Sequence, residues 1–145
     1  MNIQIINGPN LNLLGQREPG IYGQRSFEDF LADLRARYPG HAVGYFQSNV
    51  EGEIINELHR AMGDSAGVIL NAGGYTHTSV AIADAVAAIG IPVVEVHISN
   101  VAAREDYRQR SFIAAKCAGS ISGLGLEGYA LAIDYLLRRS ESESA

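Results

Sequence analysis

A glutamate and a histidine stand two residues apart in the segment EVHISN at residues 95–100. Because side chains two apart on a strand point to one face, the Glu95 carboxylate can orient the His97 imidazole and favour its protonated form. A protonated imidazole can serve as a general acid. A histidine and a glutamate paired for structure alone would show the same spacing, so taken by itself this pair leaves both interpretations open.

An arginine and a tyrosine, Arg17 and Tyr22, lie in a glycine-containing segment that runs from Asn7 to Arg25. Connections between a strand and a helix usually have about two to six residues, and longer ones are often lids or binding loops. Taken together with Glu95 and His97, a tyrosine and an arginine on such a lid indicate acid/base chemistry. Taken alone, the segment equally fits a half-buried tyrosine and a solvated arginine.

Polar residues also lie at and after the end of the apolar run at residues 68–71. Asn71 ends this run and precedes the small residues AGG at 72–74, where a ligand could approach the backbone. His77 and Asp84 are seven residues apart, which is two turns along one helix face, although His77 can also sit just outside the helix end. An asparagine that closes a turn and a solvated helix face are the competing interpretations.

The same residue types raise the question of a metal or a covalent imine. His77, His97, Asp84 and Glu95 have side chains that zinc accepts, but the sequence has no His-Glu-x-x-His or Cys-x-x-Cys pair. Lys116 is the only lysine and precedes the last weak strand, which disfavours a Schiff base. Metal catalysis and a covalent imine are therefore both disfavoured.

Size and charge limit the kinds of partner. The chain has 145 residues, 47% of them hydrophobic, which is enough for one sizeable core. The net charge of -5 disfavours binding to nucleic acid, and the absence of a long apolar run or a signal pattern predicts a cytoplasmic protein without a membrane partner. We expect one domain over residues 1–139 and a disordered tail over residues 140–145.

Short apolar runs alternate with helical patterns along the chain, which predicts a parallel sheet with crossover helices. Strands are predicted at Ile3–Ile6, Val43–Gln47, Val68–Asn71, Val93–His97 and Gly119–Ser122, and helices at about 26–38, 52–62, 78–89 and 128–138. Five such strands predict a flavodoxin-like doubly wound α/β fold, which binds ligands beyond the carboxyl ends of its strands. The candidate segments all converge on that edge.

The helical patterns also predict a cap and three inward faces. Ser26 and Asp29 form a capping pattern at the start of the first helix. For the other helices we expect these apolar residues on the sheet-facing side: Ile55, Leu58 and Met62; Val80, Ala83, Val86 and Ala87; Leu131, Ile133, Leu136 and Leu137.

Several motifs spread over nearly the whole chain resemble those of type II 3-dehydroquinases. They are GPNLNLLGQREPGIYG at 8–23, QSNVEGEIIN at 47–56, NAGGYTHTSVAIADA at 71–85, EVHISN at 95–100 and REDYR at 104–108. The resemblance implies a flavodoxin-like fold and removal of water from 3-dehydroquinate by anti elimination through an enolate. It also implies that the reaction needs no metal, cofactor or imine, in agreement with the scarcity of lysine.

The resemblance assigns five residues to the chemistry. Tyr22 matches the base that removes the proton beside the ketone, and Arg17 matches the lid cation that supports it. His97 matches the acid that protonates the departing hydroxyl group, with Glu95 behind it. Asn12 matches a residue that positions a water near the enolate oxygen.

The resemblance also assigns residues to substrate binding and assembly. The implied ligands are Asn71, His77 and Arg108 for hydroxyl groups, the main-chain amides of Ile98 and Ser99 for the carboxylate, and Asp84 reaching the site from a neighbouring subunit. Members of the family typically form trimers gathered into a dodecamer, so we expect a homo-oligomer of that kind.

Three positions depart from the family pattern without removing an assigned residue. Ala102 stands where a histidine is often found, Gly74 replaces a usual alanine, and Val50 replaces a usual histidine. Two other functions remain open at this point. They are a non-catalytic sensor that binds a hydroxy acid on the same fold, and a metal-assisted hydrolase that uses His77 and His97.

Overall fold

Five parallel strands form the sheet of the computed structural model, which describes residues 1–16, 20 and 25–144. They are β1 (Asn2–Asn7), β2 (Ala42–Gln47), β3 (Gly67–Asn71), β4 (Val93–His97) and β5 (Gly119–Ser122). Their order across the sheet is β2-β1-β3-β4-β5, which is the flavodoxin-like order. The five predicted strands and the predicted flavodoxin-like doubly wound fold are confirmed.

Helices cover both faces of this sheet. They are α1 (Phe27–Arg37), α2 (Glu51–Asp64), α3 (Val80–Ala88) and α4 (Glu127–Ser144). Side chains of α1 and α4 share one buried core cluster, and side chains of α2 and α3 share the other. No helix among the described residues is both long enough and apolar enough to cross a bilayer.

The start of α1 follows the predicted cap. The Ser26 hydroxyl accepts a hydrogen bond from the Asp29 N–H, which satisfies one free donor of the first turn. At the other end, the Tyr38 hydroxyl donates to Asp134 on α4 at 2.7 Å. Burial and this carboxylate together raise the pKa of Tyr38 to about 12, so the phenol remains a donor that joins the two helices.

The buried face of α2 lies one residue away from the predicted one. Ile54, Leu58 and Ala61 are fully buried, whereas Met62 is 50% exposed and Ile55 is only partly buried. Successive residues are turned by about 100° around a helix, so a stripe through 54, 58 and 61 leaves residue 62 at its margin. The prediction for Leu58 was right and that for Met62 was wrong.

The alanine-rich helix α3 was also only partly predicted. Ala83 and Val86 are buried as expected, but Val80 is 57% exposed and Ala87 is exposed. Val80, Asp84 and Ala87 are spaced by four and three residues, so they form one stripe on the outer side of the helix. With so many apolar residues, the sequence pattern could not distinguish this stripe from the inner one.

The last helix is longer than the sequence indicates. It was predicted to end near Arg138, with residues 140–145 disordered, yet it continues to Ser144. Arg139 and Glu143 are four residues apart and lie 3.3 Å from each other, an ion pair that supports a helix without burial. Leu131 was predicted inward but is 40% exposed, because the buried stripe runs through Tyr129, Ile133 and Leu136 instead.

The loops after β1 and β3 are packed tightly against each other at the carboxyl edge of the sheet. The Gly8 N–H donates to the Asn71 carbonyl at 2.7 Å, and a Cβ at Gly8 would lie 2.6 Å from the carbonyl oxygen of Ala72. Gly73 has a φ of +59° and lies against Pro9. Glycine is therefore required where these two loops meet.

Candidate active site

A cleft opens at the carboxyl edge of the sheet, where the connections after β1 and β3 lead to opposite faces. Six of the predicted site residues line it, namely Asn71, His77, His97, Ile98, Ser99 and Arg108. Ligands of doubly wound folds bind at this switch point. The fold thus brings together residues that come from three separate parts of the sequence.

His97 and Glu95 form the predicted contact at the end of β4. The His97 Nε2 atom lies 2.7 Å from a Glu95 carboxylate oxygen, and the two side chains are only 11% and 2% exposed. A carboxylate accepts and does not donate, so Nε2 carries a proton in this contact. The other ring nitrogen, Nδ1, is the atom left for exchanging a proton with a ligand in the cleft.

Two serines that the sequence analysis did not identify complete the surroundings of Glu95. Ser111 donates to Oε1 at 2.8 Å, and Ser120 donates to Oε2 at 3.0 Å. Burial alone would raise the pKa of Glu95, but the hydrogen bonds from His97 and both serines, together with the His97 charge, outweigh it and lower the pKa. An ionised carboxylate is therefore maintained behind His97.

His77 is held in a different way. It ends a short 3-10 helix, Gly73–His77, just before α3, and its Nδ1 atom lies 2.8 Å from the carbonyl oxygen of Arg110. A carbonyl oxygen can only accept, so Nδ1 carries the proton and Nε2 of a neutral ring can accept one. The rings of His77 and His97 lie 6.3 Å apart in a nearly parallel arrangement. The two histidines thus present different atoms to the same cleft.

Asn71 has both ends of its side-chain amide engaged. Its Oδ1 accepts from the Gly73 N–H at 3.2 Å, and its Nδ2 donates to the Tyr129 hydroxyl at 3.0 Å. Each of the two amide atoms still has one bonding position left for a ligand. The predicted turn closure and a contact with a ligand are therefore compatible in one residue.

Two arginines stand on the wall formed after β4. Arg108 binds Glu105 through its Nε–H at 2.7 Å and lies over the Tyr107 ring. Arg104 also lines the cleft and donates to the Ser99 hydroxyl at 3.3 Å, although the sequence analysis gave it no role. The position of Arg104 in the REDYR motif was the sequence feature that could have indicated a role. The two guanidinium groups share the single carboxylate of Glu105, so this wall keeps a net positive charge that favours an anionic ligand.

Two other predicted residues, Asn12 and Asp84, are not among those that line the cleft. Asn12 is exposed in the short 3-10 helix Leu11–Leu13, and its neighbour Leu11 lines the cleft instead. Asp84 is exposed on the outer stripe of α3 and is not among the lining residues of the single chain. Arg17 and Tyr22 lie outside the described residues.

The described residues contain no group of three His, Cys, Asp or Glu side chains that could hold a metal ion. His77 and His97 therefore do not belong to such a group in the part of the chain that the structure describes. The Cys117 thiol is partly buried, and burial raises its pKa to about 12, which is typical of an unreactive thiol.

Known proteins share both the sequence and the fold of this chain. The family described as Dehydroquinase class II matches residues 1–137. A 3-dehydroquinate dehydratase of Exiguobacterium sp. is 55% identical over 138 residues, which cover 94% of each chain. A second, from Synechococcus sp., is 50% identical over 94% of this chain and 95% of its own.

A solved structure agrees with these relatives. The crystal structure of the type II dehydroquinase from Butyrivibrio crossotus has a TM-score of 0.91 and 44% sequence identity to this chain. The alignment covers 94% of this chain and 97% of that one. The resemblance inferred from the motifs is confirmed, and the chain belongs to the class II dehydroquinase family.

Proposed function

We infer that the chain catalyses the dehydration of 3-dehydroquinate to 3-dehydroshikimate, which makes it a hydro-lyase. The observation that carries this conclusion is identity of 50% and 55%, over 94% of the chain, to two relatives named 3-dehydroquinate dehydratase. Neither relative favours the alternative of a non-catalytic sensor. The name of the reaction implies a place in the shikimate pathway and so in the biosynthesis of aromatic compounds, which we propose for this chain in the cytoplasm.

The reaction removes a proton from the carbon beside the ketone and a hydroxyl group from the next carbon. A base takes the proton and leaves an enolate. The enolate electrons then form the carbon–carbon double bond as the C–O bond breaks, and an acid protonates the departing oxygen to give water. We propose an anti elimination, with the base and the acid on opposite faces of the substrate.

His97 is proposed as the acid. Its Nε2 is already bound to the Glu95 carboxylate at 2.7 Å, so only the Nδ1 proton can be delivered to a hydroxyl group in the cleft. When both nitrogens carry protons the ring is positively charged, and the buried, ionised Glu95 stabilises that charge. The pair is therefore suited to hold an acid in place.

Tyr22 is proposed as the base and Arg17 as the cation that supports it, on the strength of the motif at residues 8–23. Asn12 is proposed to position a water near the enolate oxygen. These assignments require that the segment carrying Arg17 and Tyr22 can cover the cleft. Residues that precede this segment, Pro9 and Asn10 in the loop after β1, line one side of the cleft.

The remaining proposed roles concern binding. His77 can accept a hydrogen bond from a substrate hydroxyl group through Nε2, because its Nδ1 proton is directed to the Arg110 carbonyl. Asn71 and Arg108 are proposed as further hydroxyl ligands, and the main-chain amides of Ile98 and Ser99 as ligands of the carboxylate.

Asp84 lies outside the cleft of its own chain, so we propose that it contributes to the site of a neighbouring subunit. This arrangement requires a homo-oligomer. On the family resemblance, we propose a dodecamer built from trimers.

The direct test mixes the purified protein with 3-dehydroquinate in the presence of EDTA and follows the ultraviolet absorbance of the conjugated enone in 3-dehydroshikimate. We expect a protein-dependent rise that EDTA does not change. Substrate binding without product would support the sensor instead, and loss of activity on chelation would support a metal-assisted reaction. A His97→Asn variant is the matched control, because it should bind the substrate while the rise in absorbance is largely lost.

A further inference from the structure

The hydroxyl group of Tyr129 lies between two asparagine side chains at the base of the cleft. Asn71 donates to this hydroxyl at 3.0 Å, and the hydroxyl donates to Oδ1 of Asn7 at 2.8 Å. All three residues are at most 4% exposed. Asn7 and Asn71 are register partners at the ends of the adjacent strands β1 and β3, so one hydroxyl group of α4 binds both strand ends.

A main-chain N–H group determines the direction of the hydrogen bonds between Asn71, Tyr129 and Asn7. The Gly73 N–H can only donate, so the amide atom of Asn71 that faces it at 3.2 Å must be the oxygen. The nitrogen of that amide therefore faces Tyr129, whose hydroxyl must accept from Asn71 and direct its single proton to Asn7. The Asn71 amide therefore cannot turn over without losing a hydrogen bond.

The Tyr129 ring cannot easily leave this position. It lies edge-on to Phe27 of α1, with ring centroids 4.9 Å apart, and it is fully buried. Burial also raises the pKa of its phenol, so the hydroxyl keeps the proton that it donates to Asn7. The Tyr129 hydroxyl group therefore holds a fixed position, and it binds the asparagines that precede the loops after β1 and β3.

We propose that Tyr129 is a positioning residue of the active site, whose hydroxyl group holds the Asn71 amide in the orientation that binds a substrate hydroxyl group. The inference rests on the proposed function, because Asn71 is proposed there as a substrate ligand. Tyr129 itself is not among the residues that line the cleft. It acts through Asn71, whose remaining amide proton and lone pair are presented to the ligand.

The same hydroxyl group also connects the two loops that form the wall of the cleft. Asn7 directly precedes Gly8 and Pro9, and Asn71 directly precedes the small residues at 72–74, so the asparagines begin the two loops that meet at Gly8 and Gly73. A shift of either asparagine would move a loop that lines the site.

The test is a double-mutant cycle with Tyr129→Phe and Asn71→Ala. Tyr129→Phe keeps the packed ring and removes only the hydroxyl group. We expect this variant to lower kcat/KM for 3-dehydroquinate about tenfold, the effect of one misdirected hydrogen bond. In the Asn71→Ala background the same change should lower kcat/KM less than about twofold, because the residue through which Tyr129 acts is gone.

Tyr38→Phe is the matched control. The Tyr38 hydroxyl donates to Asp134 of α4 at 2.7 Å, so this change also removes a hydrogen-bonded tyrosine hydroxyl group next to α4, but Tyr38 is not among the residues that line the cleft. We expect its kcat/KM to stay within about twofold of the unchanged protein. An equal loss in Tyr38→Phe and Tyr129→Phe, or an equal loss from Tyr129→Phe with and without Asn71, would overturn the proposal.

A measurement without substrate separates this inference from the proposed function and covers the case in which Tyr129→Phe does not fold. The side-chain NH2 protons of Asn71 are assigned by NMR from the signals that Asn71→Ala loses. One of them should exchange slowly in the wild-type protein, because it is bound to a buried hydroxyl group. Fast exchange of both protons would contradict the proposal, whereas a wild-type protein that forms no product would contradict only the proposed function.

Discussion

The Glu95 carboxylate is nearly inaccessible to water and yet has a lowered pKa. Its two oxygens accept three hydrogen bonds, from His97, Ser111 and Ser120. Without these donors, burial would favour the protonated carboxyl group, which could no longer stabilise a positive His97. The chemistry proposed for His97 therefore depends on groups that never touch the substrate.

Replacing Glu95 by Gln should destabilise the protein at neutral pH but much less in acid. Because the folded pKa of Glu95 is lowered, its stabilising effect is complete above the unfolded pKa of about 4.3 and is lost as the pH falls through the folded value. We expect Glu95→Gln to lower the free energy of unfolding by about 2 kcal/mol at pH 7. Urea unfolding of both proteins at pH 7 and pH 3 measures the difference, and a larger difference at pH 3 would contradict this account.

The proposed roles of Tyr22 and Arg17 require that water is excluded from their surroundings. A phenol with a pKa of about 10 is almost entirely protonated at pH 7, and making it a largely ionised base requires about 4 kcal/mol. An exposed ion pair supplies about 1 kcal/mol or less, so Arg17 can support the base only where water is excluded. Closure of the segment over the bound substrate would meet this requirement.

Arg17→Ala should therefore reduce turnover much more than binding. We expect kcat to fall about a hundredfold, within the range of general base catalysis, with a much smaller change in KM. Arg25→Ala is a suitable control, because Arg25 ends the same segment but is paired with Asp33 of α1. Steady-state kinetics of both variants test the idea, and an unchanged kcat in Arg17→Ala would exclude this role for Arg17.

At the scale of elements, two segments that follow β4 donate hydrogen bonds to Glu95. Ser120 lies on β5 and donates to Glu95 at 3.0 Å. Ser111 lies in the loop before β5, and its hydroxyl oxygen also accepts from the N–H groups of Ile113 and Ala114, at 3.2 and 3.0 Å. Ser111 thus couples the shape of this loop to the charge behind His97.

The two serines should differ in their effect on stability. We expect Ser120→Ala to lower the free energy of unfolding by about 1 kcal/mol and Ser111→Ala by about 2 kcal/mol, since the latter leaves two more main-chain donors unpaired. Urea unfolding at pH 7 gives both values under the same conditions. Equal losses would mean that the contacts of Ser111 with the loop add nothing.

The sequence predicted the strands well and the helix faces less well, for a physical reason. Strands of a buried parallel sheet are short, continuous apolar runs, so β3 and β4 were predicted to within one residue. In α3 nearly every residue is apolar, so its pattern did not reveal which stripe faces inward. His97 and Glu95 were found because they are two residues apart on one strand.

Other parts of the site could not be found from local patterns. Ser111, Ser120 and Tyr129 reach their partners over 16, 25 and 58 residues of sequence. No local rule identifies a serine or a tyrosine as the partner of a distant carboxylate or amide. Only the fold, which places these elements side by side, reveals such contacts.

At the scale of the whole molecule, the position of Asp84 is informative. It lies on the outer stripe of α3 between Val80 and Ala87, where an acidic residue is flanked by exposed apolar ones. In the single chain it does not line the cleft. If Asp84 serves the reaction at all, it must reach the cleft of another subunit, and the working enzyme is then an oligomer with shared sites.

Complementation between two inactive variants tests this arrangement. A Tyr22→Phe chain lacks the proposed base in its own site, and an Asp84→Ala chain lacks the residue proposed to serve its neighbour. Each variant alone should have little activity. When the two chains are co-expressed with different tags and purified by both, about one quarter of the sites in randomly assorted oligomers should combine an intact Tyr22 with an intact Asp84.

Activity should therefore return in the mixed oligomers to roughly one quarter of the wild-type value, whereas each variant purified through the same steps should stay inactive. Mass measurement of the doubly tagged protein establishes that both chains are present. The experiment distinguishes a shared site from a site within one chain, because activity returns only if the two residues come from different subunits. If Asp84 acted within its own chain, a Tyr22→Phe chain and an Asp84→Ala chain would each hold a defective site, and mixing would restore nothing.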